Sequence, residues 1–431
     1  MPERFDAIVV GGGFAGVTAA RELGVAGLRT VLLEARDRLG GRTLTTSFAG
    51  KEVVELGGTW VDSTHPNVWA EITRYGLKVI PDTAPETYVV REGGSLVRRD
   101  PDYVVNRLRA VTETLFADAA AAFPDPGNPD FGLPALIEID RLSLADRLDQ
   151  AALDPRDRDL LSGWLMSLVG LPNSEAGLAT FAHWWALAGS DFDRFQAMFG
   201  GGKLEAGMAA LIGAIVADAD AEVRLSTEVA AVRSEAESVT VTTAGGEELT
   251  APIAVIALPL NLLGGLDFDP GLPAQHVEAA EEKIAAPHGR KLLIHVVGDA
   301  GGVQMMLPED EPLPLVFTYA QLERGQLLVG ISGHPEFDAD DTSYVRNLVE
   351  LAFPELCVLD IATNDWPSDR YAGGAWTYPR REALTRWFPR LAEPVGRLVF
   401  AGADVSVGLN WIDGAIESGH RAAAEAAWMI G

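Results

Sequence analysis

Three glycines, Gly11, Gly13 and Gly16, sit between a short apolar run, Phe5–Val10, and a segment of small residues that includes Ala15, Ala19 and Ala20. This arrangement leaves few choices. A strand must enter a helix through a turn too tight for side chains. Gly11 permits the turn, Gly13 lets backbone approach a pyrophosphate, and Gly16 lets the helix pack close to the sheet. The helix opens at Phe14 and Ala15, and its free N–H groups suit phosphate oxygens. A second apolar run, Arg29–Glu34, follows the helix. Glu34 ends that strand where a carboxylate accepts hydrogen bonds from a ribose. The pattern predicts the opening βαβ unit of a doubly wound sheet with a dinucleotide on it. It does not separate NAD from FAD.

The rest of the chain bounds the answer further. Its 431 residues are enough for two or three domains, at roughly 100–200 residues each. The net charge is -28, from 34 basic and 62 acidic side chains. A nucleic-acid partner is therefore not expected, because phosphates need clustered Lys and Arg. One cysteine, Cys357, excludes an intrachain disulfide and fits a reducing compartment. No segment approaches the ~20 apolar residues that span a bilayer. The start, Met1 to Asp6, lacks a secretory apolar stretch. The expectation is a cytoplasmic protein without membrane attachment. The seven histidines show no metal-ligand spacing, so no metal is expected. Gly202-Lys203-Leu204 lacks the Ser or Thr of a phosphate loop, and no Gly-x-Ser-x-Gly elbow occurs.

Periodicity predicts helices over Tyr103–Phe116 and Leu142–Leu153, with Pro- and Gly-rich turns across Phe123–Pro134. Short strands are predicted near Glu222–Leu225, Val229–Arg233, Ser238–Thr243 and Ile253–Ala257. Lys291 to Ser332 alternates strand signals with glycine turns. The end reads as a strand, Leu398–Ala401, a loop, and a helix, Ile412–Met429. No linker separates these blocks. The expected fold class is α/β: a Rossmann-like dinucleotide domain interleaved with a substrate domain of mixed sheet plus helices. The expected boundaries are 1–84, 201–286 and 380–431 for the first, and 85–200 and 287–379 for the second.

The residues after the second strand settle the cofactor. Glu34-Ala35-Arg36 lead into Gly40-Gly41-Arg42-Thr43. Arg36 and Arg42 suit the pyrophosphate and ribitol side of a cofactor, and the glycines bring backbone close to it. This run resembles the FAD-binding segment of the flavin-containing amine oxidase superfamily, which includes monoamine, polyamine and L-amino acid oxidases. Other segments carry the resemblance along essentially the whole chain. Glu55-Leu-Gly57-Gly58-Thr59-Trp60 resembles the family's loop beside the isoalloxazine ring. Val229 matches a strand whose backbone contacts the adenine. Trp366 precedes Gly373-Gly374-Ala375-Trp376, and Gly402-Ala403-Asp404 precedes Trp411-Ile412-Asp-Gly-Ala415.

The resemblance implies roles for these positions. Asp404 matches an acid near the ribityl-phosphate chain. The amino end of the last helix would face the flavin pyrimidine ring, where its dipole stabilises developing negative charge. Trp376 and Trp411 match two aromatic rings that sandwich a substrate amine, and aromatic faces attract cations. Lys291, opening the strand Lys291–Val297, matches a lysine that holds a water near flavin N5. The alternative for Lys291 is a surface position beside Arg290. Ala375 stands where covalent members have a tethering cysteine, so the implied FAD is non-covalent. The aromatic stretch holding Phe181 and Trp185 is expected to be mostly helical core, with a few channel residues. Phe181, Trp185 and Phe317 are taken as pocket candidates.

The implied activity is oxidation of an amine by hydride transfer to flavin N5. It gives an imine that is hydrolysed to a carbonyl compound, and hydrogen peroxide. The implied partners are the amine and either oxygen or another electron acceptor; a homodimer is compatible with the pattern. A flavin-dependent C–C desaturase or dehydrogenase, or a non-catalytic FAD-binding protein, are the alternatives.

Overall fold

The computed structural model describes residues 3–431. A parallel sheet forms its nucleotide side. Its strands run in the order Ala221–Arg224, Thr30–Leu33, Ala7–Val10, Ile253–Ile256 and Leu398–Phe400. Ala7–Val10 and Ile253–Ile256 are buried along their whole length, as strands covered on both faces must be. The helix Phe14–Val25 and the final helix Ile412–Ile430 share one core on this sheet, joined by Ala19, Ala20, Leu23, Ala422, Ala423 and Ala426. Small residues there let the helices approach closely. A second sheet, from Glu3–Arg4, Glu248–Ala251, Val239–Thr243, Val229–Ser234 and Asp267–Asp269, flanks the first.

The other large sheet has seven strands. In order they are Cys357–Thr363, Arg290–Val297, Gln326–Ser332, Leu315–Gln321, Val303–Met306, Thr87–Glu92 and Ser95–Arg99. Its pairings are antiparallel except Val303–Met306 against Thr87–Glu92, so the sheet is mixed, as expected. One face, carrying Ile294 and Val316, packs on Val345 of the helix Thr342–Ala352 in a separate core. The other faces a helical layer that includes Pro101–Leu115, Pro155–Val169, Leu178–Leu187 and Phe192–Phe199.

Local chemistry sets the helix ends. Asp100 accepts from Tyr103 N at 3.0 Å and Pro101 takes the first turn, which moves the predicted start at Tyr103 two residues earlier. Ser143 and Asp146 form a reciprocal capping box, so the predicted helix from Leu142 begins at Leu144. Among the described residues no helix is long and apolar enough to cross a membrane.

Candidate active site

A cavity of about 940 Å³ runs between the parallel sheet and the mixed sheet. At one end lies the glycine turn. Gly11 has φ +106°, and a Cβ there would meet Ala257 O at 2.5 Å. A Cβ on Gly16 would lie 1.8 Å from Gly11 O, so helix and turn touch only because both residues are glycine. Gly13 caps the helix without a side-chain bond, and its nearest foreign atom would be 3.8 Å from a Cβ. The amino end of the helix therefore opens onto the cavity. Phe14 and Ala15 line it with their backbone uncovered by a cap. This cradle fits a pyrophosphate.

Glu34 is buried at the same end. Its carboxylate accepts from Gly12 N at 2.7 Å and Arg36 N at 2.8 Å. Each oxygen keeps acceptor capacity for a ribose hydroxyl. Ala35 and Val229 lie beside it on the wall. Arg36 lines the cavity but pairs with Asp369 at 2.7 Å and stacks over Tyr371.

Gly41, Arg42, Gly57 and Gly58 form the middle of the wall. The guanidinium of Arg42 donates to Asp404 Oδ1 at 2.7 Å and to Ala375 O at 3.1 Å. Asp404, expected near the ribityl-phosphate chain, lies directly behind the wall residues Arg42 and Ala403. Its carboxylate is buried and takes hydrogen bonds from Arg42, Thr377 Oγ1 and Leu260 N. It stands behind Arg42, off the cavity wall, and fixes that side chain. Gly402, Ala403, Ile412 and Ala415 are on the wall. Trp366 is also there and donates to Leu56 O at 2.9 Å. Trp411 caps the final helix with its backbone only, so that helix points free N–H groups and a partial positive charge at the site.

The far end is aromatic. Trp60, Phe317, Trp376 and Trp411 all line it. Trp376 is held by its indole N–H, which donates to Leu168 O at 3.0 Å. Trp411 is wedged by Trp184, Phe199 and His65, with ring centroids at 4.8, 5.3 and 5.4 Å. Trp60 packs on Phe317 at 5.7 Å. Lys291 reaches the same place from the mixed sheet, where it is buried and Arg290 is not. Its Nζ donates to Gly57 O at 3.1 Å and to Thr59 Oγ1, and lies 4.6 Å from the Trp60 ring. Burial pulls its pKa down to about 7, against the pull of Glu55 and Asp82. Burial likewise raises that of Glu55. The surface alternative for Lys291 is therefore excluded.

Phe181 and Trp185 do not line the cavity, contrary to expectation. Phe181 stacks on Phe116 at 4.8 Å and Trp185 packs on Phe195 at 5.3 Å. The turn of the helix Leu178–Leu187 instead aims Trp184 at Trp411. Gly16 also lies off the wall, as its packing role requires. Sequence reading missed His65, Gln304, Asn261 and Tyr371, all on the wall. His65 is buried with Nε2 unpartnered, and burial lowers its pKa against Asp413 and Asp62. Nothing local marks these residues, because each arrives from an element with an ordinary pattern.

Comparison with known proteins agrees with this geometry. The family model described as flavin containing amine oxidoreductase matches residues 14–427. A pseudooxynicotine dehydrogenase of Pseudomonas sp. is 35% identical over 97% of this chain and 85% of its own. A nicotine dehydrogenase of Pseudomonas putida is 36% identical over 99% of this chain and 89% of its own. A putrescine oxidase double-mutant structure superposes with a TM-score of 0.84 at 21% identity, over 99% of both chains. The phosphate cradle, the helix dipole and the aromatic end fit FAD and an amine, and the chain belongs to the flavin-containing amine oxidoreductase family.

Proposed function

We propose that the protein oxidises an amine bound at the aromatic end of the cavity, by removing hydride from the carbon that bears the nitrogen. The observation that carries this reading is convergence: Lys291, Trp376 and Trp411 line the same cavity as the dinucleotide cradle. When bound, FAD supplies the two-electron chemistry, accepting the hydride and passing the electrons to oxygen, with hydrogen peroxide as product, or to another acceptor. Gly11, Gly13, Glu34, Arg36 and Arg42 would hold it. Ala375 offers no thiol, and Cys357 lies off the cavity wall at an exposed position, so we take the FAD to be non-covalent. The lone cysteine also supports a cytoplasmic setting.

Each residue has a task. Trp376 and Trp411 present ring faces that orient the amine. Both rings are half-buried, so an amine seated between them would displace water from the aromatic end and strengthen charge interactions there. Lys291 Nζ donates to Gly57 O and Thr59 Oγ1, and its remaining N–H would hold a water and exchange a proton with it. That water attacks the imine carbon and yields the carbonyl compound. The final helix favours negative charge at its amino end. No strong base is needed if the amine enters deprotonated.

Anaerobic mixing of the holoprotein with primary, secondary and cyclic amines tests the reading. Bleaching of the oxidised flavin band by one class supports it; a flavin that stays oxidised with every amine overturns it. Readmitting oxygen separates oxidase from dehydrogenase. The dehydrogenase reading is favoured by the names of the two relatives above.

A further inference from the structure

The charge balance of the cavity wall limits what the amine carries elsewhere. Three carboxylates approach the aromatic end, and each is already engaged. Asp82 pairs with Lys203 at 2.8 Å. Asp193 pairs with Arg109 at 2.6 Å and is open to solvent. Asp413 accepts from Asn67 N, Asn67 Nδ2 and Val68 N. The wall arginines are committed too: Arg36 to Asp369, Arg42 to Asp404, and Arg370 to Glu228. Among the described residues, the aromatic end has no uncommitted carboxylate for a second ammonium and no uncommitted guanidinium for a substrate carboxylate.

It does have an uncommitted neutral group. Gln304 sits on the strand Val303–Met306, directly across from Phe317 on one side and Tyr88 on the other. All three line the cavity. Val303 and Met305 point into the opposite core, so alternation turns Gln304 toward the cavity. The residue is half-buried on the cavity wall, and among the described residues its side chain makes no hydrogen bond. A primary amide with free donors and a free acceptor, flanked by aromatic rings on the cavity wall, is open to a ligand that can bond to it.

We propose that Gln304 reads an uncharged polar group of the substrate, such as a heteroaromatic nitrogen or a carbonyl. The site then selects amines with one charge and one neutral polar handle over diamines and amino acids. This inference rests on the amine-oxidation reading and names its substrate class.

The test uses holoprotein and two isosteric amines, nicotine and 1-methyl-2-phenylpyrrolidine, which differ by one ring nitrogen. Dissociation constants are read anaerobically from perturbation of the oxidised flavin spectrum, with putrescine as the diamine. Wild type should bind nicotine about five- to tenfold tighter than the phenyl compound, the contribution of one hydrogen bond. Putrescine should bind on the order of 100-fold more weakly than nicotine, because its second charge has no partner. Gln304→Leu should bring the first ratio close to one. Gln304→Glu should reverse the second preference toward putrescine. A wild-type ratio near one, or a ratio that Gln304→Leu leaves unchanged, overturns the proposal. Selective binding without flavin reduction by any amine would instead sink the amine-oxidation reading alone.

Discussion

Lys291 shows how a single residue acquires chemistry from its surroundings. A lysine at the start of an apolar strand looks ordinary, yet here its Nζ is enclosed by Gly57, Thr59 and Trp60. Its folded pKa of about 7 lies below its ordinary value of 10.5. The unfolded chain therefore binds more protons between those values, and stability rises with pH across that window. Below about pH 7 the full cost of the buried ammonium is present; above 10.5 it is gone. The difference in unfolding free energy between wild type and Lys291→Met should shrink as pH rises from 7 to 10.5, by several kcal/mol. A difference flat with pH would mean the ammonium is not buried. The same variant should turn over an amine roughly 100-fold more slowly, the scale of a lost proton-transfer group. Trp411→Ala should weaken amine binding by about 0.5–2 kcal/mol, read as a higher half-saturation for flavin reduction, while Trp411→Phe should retain most of the affinity.

Elements are joined by contacts that few substitutions can replace. The turn before the helix Phe14–Val25 has no room for a methyl group at Gly16, where a Cβ would lie 1.8 Å from Gly11 O. Gly16→Ala should cost about 3 kcal/mol or more and reduce the fraction of purified protein that carries flavin. The same helix is clamped to Pro66–Arg74 by the buried Arg21, whose guanidinium meets Glu71 through two bonds of 2.6 Å. Burial pushes the Glu71 carboxyl up, but the bonds from Arg21 and His420 outweigh it and hold it at about 2. Its contribution is present above about pH 4.5 and is lost as pH falls toward 2. Glu71→Ala should lower stability by about 3–5 kcal/mol, because it strands a buried guanidinium; denaturant titration at neutral pH measures this.

The whole molecule is organised around a cavity that neither sheet encloses alone. The nucleotide end comes from the parallel sheet and the reactive end from the mixed sheet and helical layer. FAD held along this cavity would add contacts on both sides of the cleft. Free FAD at 100 times its dissociation constant should stabilise the apoprotein by about 2.7 kcal/mol, and heat-denatured holoprotein should release its flavin to solution if the cofactor is non-covalent. A net charge of -28 adds self-repulsion, so moderate salt should raise the melting temperature of the apoprotein. The glycine turn, Glu34, the βαβ unit and the final helix were all legible along the chain, because each depends on residues close in sequence: a tight turn needs glycine, and a buried strand needs an apolar run. The commitment of Asp404 to Arg42 and Thr377, the enclosure of Lys291, the retreat of Phe181 and Trp185 into the helical core, and the exposure of Gln304 to the cavity were not. They join residues far apart in the chain, and which face of a strand or helix meets the cavity is fixed only when the sheets and helices pack against one another.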